Sequence, residues 1–268
     1  MNAYVVIRVP KCGSTSLARM ITSAMPNSKV FYISSAGIEL AKEANQNISS
    51  LERFRIFKNT TRSIWKKHRR LTFDSVWIKT NKNIRDNDII HGHLTIDAIK
   101  LNAINKRLIT IIRDPYDRML SDYNYSRTSY NKKNFISRKY KNKLYVAGNY
   151  SLEGYISYLK ENQPLNGRYI SRFVIGKDKI NNPIEFLEKN YFTYGILERM
   201  DLFIEDFYKK SNVRLLQEKA NVTKSKKVIE PSTSEKHAIE KFCEEDIDLY
   251  QNIKEKIKNK NELSTRNS

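Results

Sequence analysis

The sequence predicts a three-layer α/β fold, with a central, mostly parallel sheet flanked by helices, from two strand–loop–helix units and one nearly unbroken apolar run. In the first unit, Tyr4 to Val9 alternates β-branched residues as a buried strand, Pro10 stops it, and Leu17, Met20, Ile21 and Ala24 recur at helical spacing. A helix starting at Ser14 or Thr15 and closing at Pro26 follows. In the second unit, Leu108 to Ile112 reads as a strand covered on both faces, as in a parallel sheet. Asp114 then serves as N-cap and Pro115 as first helical residue, with Met119, Leu120 and Tyr123 on the apolar face of the helix.

Other elements are placed in the same way. Lys29 to Ile33 and Tyr191 to Ile196 read as strands, as does Asp88 to Leu94; Val76 to Lys79 is a fourth candidate. Gly37 to Ala44, Leu152 to Leu159 and Arg168 to Val174 read as helices, with a Pro164 to Gly167 turn between the last two. An amphipathic helix runs through Phe207, and Glu235 to Lys256 reads as one long helix. A single domain over residues 1–258 is expected, with a basic insertion at about 127–150 and a polar, fraying tail at 259–268.

The turn in the first unit has the makings of an anion site. Gly13 allows a tight turn, the N–H groups at the helix start point into the loop, and the helix dipole favours negative charge there. Lys11 adds a full positive charge and Ser14, Thr15 and Ser16 add hydroxyls. The nucleotide triphosphatase motif G-x-x-x-x-G-K-[ST] is absent, because Lys11 precedes the glycine. Arg113, at the carboxyl end of the second strand, faces the same crevice by the rule that ligands of open α/β sheets bind beyond the carboxyl strand ends. With Ser121 two helical turns later, it can grip a second phosphate; alternatively it only pairs with Asp117 or caps the strand.

His91 and His93 flank Gly92 in Asp88-Ile-Ile-His-Gly-His-Leu94. Residues two apart on a strand share a face, so both rings can look into the crevice, and Gly92 permits close approach of a ligand or another segment. A metal site would need further ligands at familiar spacing, which the sequence does not offer, so no metal is expected.

The two anion segments resemble the paired signature of sulfotransferases that use 3′-phosphoadenosine 5′-phosphosulfate (PAPS). These are a P-K-x-G-[ST]-[ST]-S loop for the 5′-phosphosulfate and an R-D-P-x-x-R-x-x-S segment for the 3′-phosphate. The resemblance implies a P-loop-NTPase-like fold, with Lys11, Cys12, Gly13, Ser14, Thr15 and Ser16 at the 5′ end of the donor and Arg113 and Ser121 at its 3′-phosphate. Cys12 departs from the threonine of many relatives. His-Gly-His is similar to the heparan sulfate and uronyl 2-O-sulfotransferase subfamily, where a histidine is the general base. That implies His93 as base and His91 as its essential neighbour, with the division of roles between them open. Tyr194 to Asp201 resembles a later strand-to-helix segment of the family, and by the same likeness a lysine of Asn221 to Lys227, with Lys224 first, closes over the donor. PAPS would be the donor substrate and adenosine 3′,5′-bisphosphate the product, with direct displacement at sulfur.

Composition bounds the partners. The 268 residues are 40% hydrophobic, enough for a sizeable core, and only Cys12 and Cys243 are present, which excludes a disulfide scaffold and favours a reducing compartment. No apolar run is long enough to span a bilayer and no signal-peptide pattern precedes the first strand, so a cytoplasmic protein is expected, against the Golgi lumen of anchored animal relatives. The formal charge of +20 calls for an anionic partner. Lys66 to Arg70 is one basic run, and Arg127 to Lys143 carries seven Lys or Arg with no acidic residue, interleaved with Tyr130, Phe135 and Tyr140. An acidic glycan acceptor fits both this pattern and the resemblance. A nucleotide- or nucleic-acid-binding protein without sulfuryl transfer is the competing reading, although no nucleic acid is expected as partner.

Overall fold

The structure is a computed structural model and describes residues 1–34, 73–102, 105–133, 142–217 and 231–266. The expected helix at Gly37 to Ala44, the basic run at Lys66 to Arg70 and the loop holding Lys224 lie outside these residues. The chain divides into two compact units, Met1–Ile112 with Arg172–Asn221, and Arg113–Ser171 with Val222–Ser268.

The first unit is the parallel sheet. Strands β1 (Asn2–Ile7), β2 (Val30–Tyr32), β3 (Asp88–Gly92), β4 (Asn105–Ile112) and β5 (Tyr191–Ile196) lie in the order β2-β3-β1-β4-β5, every neighbouring pair parallel. Val5 pairs with Ile90 on one side and Leu108 on the other, which makes β1 central. Its residues from Ala3 to Ile7 are all buried, as an apolar strand covered on both faces must be. On one face Tyr4, Val6, Ile109 and Ile111 pack with Leu17, Met20 and Ile21 of α1 (Ser14–Ala24). Met200, Phe203 and Phe207 of a later helix (Met200–Ser211) join the same cluster. Each large apolar side chain so buried contributes about 1.5–3 kcal/mol.

The sequence misreads one element here. Val76 to Lys79 belongs to a helix, α2 (Phe73–Asn83), and is not a strand. Val76, Trp77 and Thr80 are buried together at helical spacing, and the Thr80 hydroxyl donates to the Val76 carbonyl at 2.8 Å. The β-branched and aromatic content of Val-Trp-Ile suggested a strand, and burial of one helical face overrides that propensity. At the start of β3 the buried Asp88 carboxylate accepts the N–H groups of Lys29 and Arg85, both at 2.8 Å, fixing where the strand begins.

The second unit is helical. It holds α3 (Pro115–Asn131), α4 (Lys143–Asn149), α5 (Leu152–Asn162), α9 (Thr233–Phe242) and α10 (Glu244–Arg266). Between α5 and α9 the chain forms α6 (Tyr169–Val174), inside which the unit boundary falls, and the first unit's α7 (Pro183–Asn190) and α8 (Met200–Ser211). Met119, Tyr123, Ala147, Leu152, Tyr155, Leu159, Ile239 and Cys243 form the second unit's core. The stretch expected as a basic insertion is helical at both ends, as the last turns of α3 and as α4, with 134–141 outside the described residues.

Two further expectations at the C-terminus are corrected. Glu235 to Lys256 is two helices, not one, broken at Cys243, whose side chain is fully buried. Ser232 forms a capping box with Glu235 at the start of α9, and the acidic first turn of α10 favours a fresh helix start after Cys243. The final helix also continues through Arg266, where a polar tail from residue 259 was expected.

Candidate functional site

The chain leaves β1 at Ile7 and reaches α1 through a six-residue loop, 8–13, whose backbone is set by two left-handed residues, Lys11 (φ 68°) and Gly13 (φ 69°). For Gly13 that conformation is free of steric penalty, whereas for Lys11 it costs about 1 kcal/mol, strain of the kind held at ligand loops. A Cβ on Gly13 would also meet the Leu197 side chain at 2.6 Å. Gly13 is the N-cap of α1, no side chain caps that end, and its first turn has no acidic residue. The Ser14 and Thr15 N–H groups, which an α-helix cannot satisfy internally, are therefore open to an anion, while that of Ser16 meets the Gly13 carbonyl at 3.0 Å.

The loop side chains divide into those that build it and those that can serve a ligand. Ser14 is buried and its hydroxyl donates to the Val9 carbonyl at 2.9 Å, closing the loop. Cys12 is fully buried and its N–H meets the Val9 carbonyl at 3.4 Å, so the departure from the commoner threonine places a thiol in the interior. Thr15 accepts a hydrogen bond from Arg8 Nη2 at 2.7 Å, which leaves its own hydroxyl proton for a ligand. Lys11 and Ser16 are half-buried.

Beside this loop stand both histidines. Arg8 donates its N–H to the Gly92 carbonyl at 2.9 Å, and its own carbonyl lies 2.7 Å from His93 Nδ1. A carbonyl can only accept, so Nδ1 carries the proton and Nε2 keeps its lone pair, the tautomer a base needs. Burial, opposed by that hydrogen bond and aided by the Arg8 and Lys11 charges, lowers the His93 pKa from 6.5 to about 4. His91, on β3 opposite Val6 and Tyr32, is lowered to about 4 by burial, then by the charges of Arg8 and His93. Its Nδ1 is buried without a hydrogen-bond partner, and its ring stands edge-on to Tyr32 at 5.4 Å. Gly92 between them is required for a reason of packing, since a Cβ there would lie 1.5 Å from the Ile33 carbonyl oxygen.

Compared with protein families, the chain matches the sulfotransferase domain over residues 2–264. It belongs to the sulfotransferase family. Among curated proteins, none matches it. The family transfers sulfuryl groups with PAPS as donor, on a P-loop-like α/β fold of the kind seen in the first unit.

In this sulfotransferase the residues expected at the 3′-phosphate sit in the second unit. Asp114 caps α3 by accepting the Tyr116 N–H at 2.8 Å, with Pro115 at the first helical position as expected. Arg113 Nη2 pairs with Asp117 at 2.9 Å, while its Nε is buried with no hydrogen-bond partner. Ser121 is half-buried on α3. Arg118, the second arginine of that motif, is buried instead; it donates to the Asn166 carbonyl at 3.1 Å and lies 5.3 Å from the Tyr169 ring centre. Close by on α3, Asp122 accepts from Lys143 Nζ at 2.6 Å and from the Tyr155 hydroxyl at 3.0 Å; burial would raise its pKa, but the Lys143 and Arg118 charges hold it lowered.

Sequence reasoning brought Lys11 through Ser16 and both histidines to one place. It missed Arg8, treated there only as one residue of a strand alternation. The signal was present, since a charge at the carboxyl end of a buried strand, directly before an anion loop, has few structural uses. Among the described residues, no group of three or more His, Cys, Asp or Glu is placed to hold a metal ion, and no helix is long and apolar enough to cross a membrane.

Proposed function

We propose that the protein transfers the sulfuryl group of PAPS to a hydroxyl of a carbohydrate acceptor, an acidic glycan or polysaccharide, with His93 as general base. The observation that carries this reading is the Arg8 carbonyl on His93 Nδ1 at 2.7 Å, which leaves a basic Nε2 beside the anion loop. His93 takes the acceptor proton as the hydroxyl oxygen bonds to sulfur. The bond from sulfur to the 5′-phosphate oxygen breaks, and its electron pair leaves on that oxygen. Lys11 and the N–H groups of the α1 first turn oppose the charge that develops there. His91 supports the base from the neighbouring strand position, in line with the likeness to the 2-O-sulfotransferase subfamily.

Arg113 and Ser121 are assigned the 3′-phosphate by their motif, and Lys224 a closing role over the donor. Binding of adenosine 3′,5′-bisphosphate tests this assignment. A rise in melting temperature with the nucleotide is expected, largely lost in Arg113→Ala; an unchanged rise in that variant would remove Arg113 from the donor site. Initial rates with both substrates varied should show a sequential pattern, whereas ping-pong kinetics with an isolable sulfated enzyme would contradict direct displacement.

A further inference from the structure

We propose that Arg8 is a positioning residue that joins the anion loop to the base, so that an anion held by the loop strengthens His93 as a proton acceptor. The inference rests on the reading of His93 as base and adds a residue that no motif assigns. Three contacts carry it. The Arg8 N–H is fixed on the Gly92 carbonyl at 2.9 Å and its carbonyl holds His93 Nδ1 at 2.7 Å, while its Nη2 holds Thr15 Oγ1 in the first turn of α1 at 2.7 Å. One residue thus bonds both to the ring that would take the proton and to the helix end that would take the anion.

The electrostatics follow from the same arrangement. The charged groups acting on His93 are Arg8 and Lys11; Arg8 and His93 in turn act on His91 of β3, while Tyr32 on β2 and Arg19 on α1 act on Arg8. Arg8 and Lys11 both disfavour the imidazolium. The Arg8 guanidinium is half-buried, 6.0 Å from the Tyr32 ring centre, and its Nε is buried with no hydrogen-bond partner, so solvent does little to screen it. An anion seated among the α1 N–H groups neutralises Arg8 and Lys11 together. Removing their repulsion makes protonation of His93 easier at the moment a donor is present, and by linkage the anion binds more tightly when His93 is protonated.

Proton NMR titration of the His93 ring, assigned with His93→Asn, reads this out without turnover. In the parent protein, adenosine 3′,5′-bisphosphate should raise the His93 titration point by about one pH unit or more. In Arg8→Met the nucleotide-free ring should titrate higher than in the parent, and the nucleotide should move it by less than half as much. Thr15→Val, which removes the acceptor of Arg8 Nη2 while keeping side-chain shape, should also reduce the response. Titration points in Arg8→Met equal to those of the parent, free and bound, overturn the proposal, as does a full response in Thr15→Val should Arg8→Met not fold. If the nucleotide does not bind the parent at all, the donor reading fails, and the nucleotide-free comparison of Arg8→Met with the parent still decides the coupling.

Discussion

At His93 a backbone carbonyl decides which ring nitrogen is basic, and burial decides over what range of pH it stays so. The residue drew attention because His-Gly-His reads as a strand with both rings on one face, although β3 ends at Gly92 and His93 lies in the bend just past it; the partner that sets the tautomer was not legible, since a backbone carbonyl has no sequence signature. Cys12 was open in the sequence because it departs from the threonine that many relatives carry, and its side chain is fully buried. A pH dependence follows from the free-protein value. A base works only unprotonated, and the free His93 gains its proton near pH 4, well below the ordinary 6.5. With donor varied, kcat/KM reports the free enzyme, so its acid limb should fall near pH 4 and the profile should be level from pH 6 upward. A limb near 6.5 would show that His93 is not shielded in this way. His93→Asn should lower kcat by about 10²–10⁴, the usual worth of a positioned general base, with the melting temperature kept.

Among the elements, those built on one strong local pattern were readable and those decided by long-range partners were not. β1, α1, β4 and the capped start of α3 follow from alternation, a stop at Pro10, and Asp114-Pro115. The strand reading at Val76 to Lys79 failed because three apolar residues in four carry no decisive period; what settles it is burial of Val76, Trp77 and Thr80 on one face. The break between α9 and α10 likewise depends on a distant partner. Asp246, in the first turn of α10, is fully buried and accepts the N–H groups of Ile170 and Ser171 at 2.9 and 2.8 Å and the Ser171 hydroxyl at 2.9 Å. Burial raises its pKa to about 6, so the carboxylate is charged at neutral pH with those donors and Arg118 facing it. Asp246→Ala strands three buried donors and should cost about 3 kcal/mol in denaturant unfolding at pH 7. A loss below about 1 kcal/mol would mean that water replaces the carboxylate.

For the whole molecule, the charge of +20 is the feature least explained by the fold. The proposed reaction assigns part of it to the donor, Lys11 by its loop and Arg113 by its motif. In the proposed reaction the acid-free stretch from Arg127 to Lys143, helical at both described ends, is the part of the remainder assigned to an anionic acceptor. Exposed charges more than about 10 Å apart are screened at 0.1 M salt, so KM for an acidic glycan should rise severalfold between low and physiological salt. KM for an uncharged sugar polymer should stay flat over the same range; equal salt responses would detach the basic surface from the acceptor. The family was thus legible in motifs from the start of the chain to beyond Asp201, and the sheet in all its strands apart from the false one at Val76 to Lys79, while the acceptor is proposed only as a sign of charge, because recognition of a sugar depends on side chains brought together in space rather than on any spacing. The central claim is sulfuryl transfer to a carbohydrate hydroxyl with His93 as base, and incubation with sulfur-labelled PAPS and a panel of acidic and neutral glycans tests it most directly. The expected result is label on an acidic glycan, released as sulfate by acid hydrolysis and lost with His93→Asn. No label on any glycan from protein that binds adenosine 3′,5′-bisphosphate, or equal labelling by His93→Asn, would contradict it.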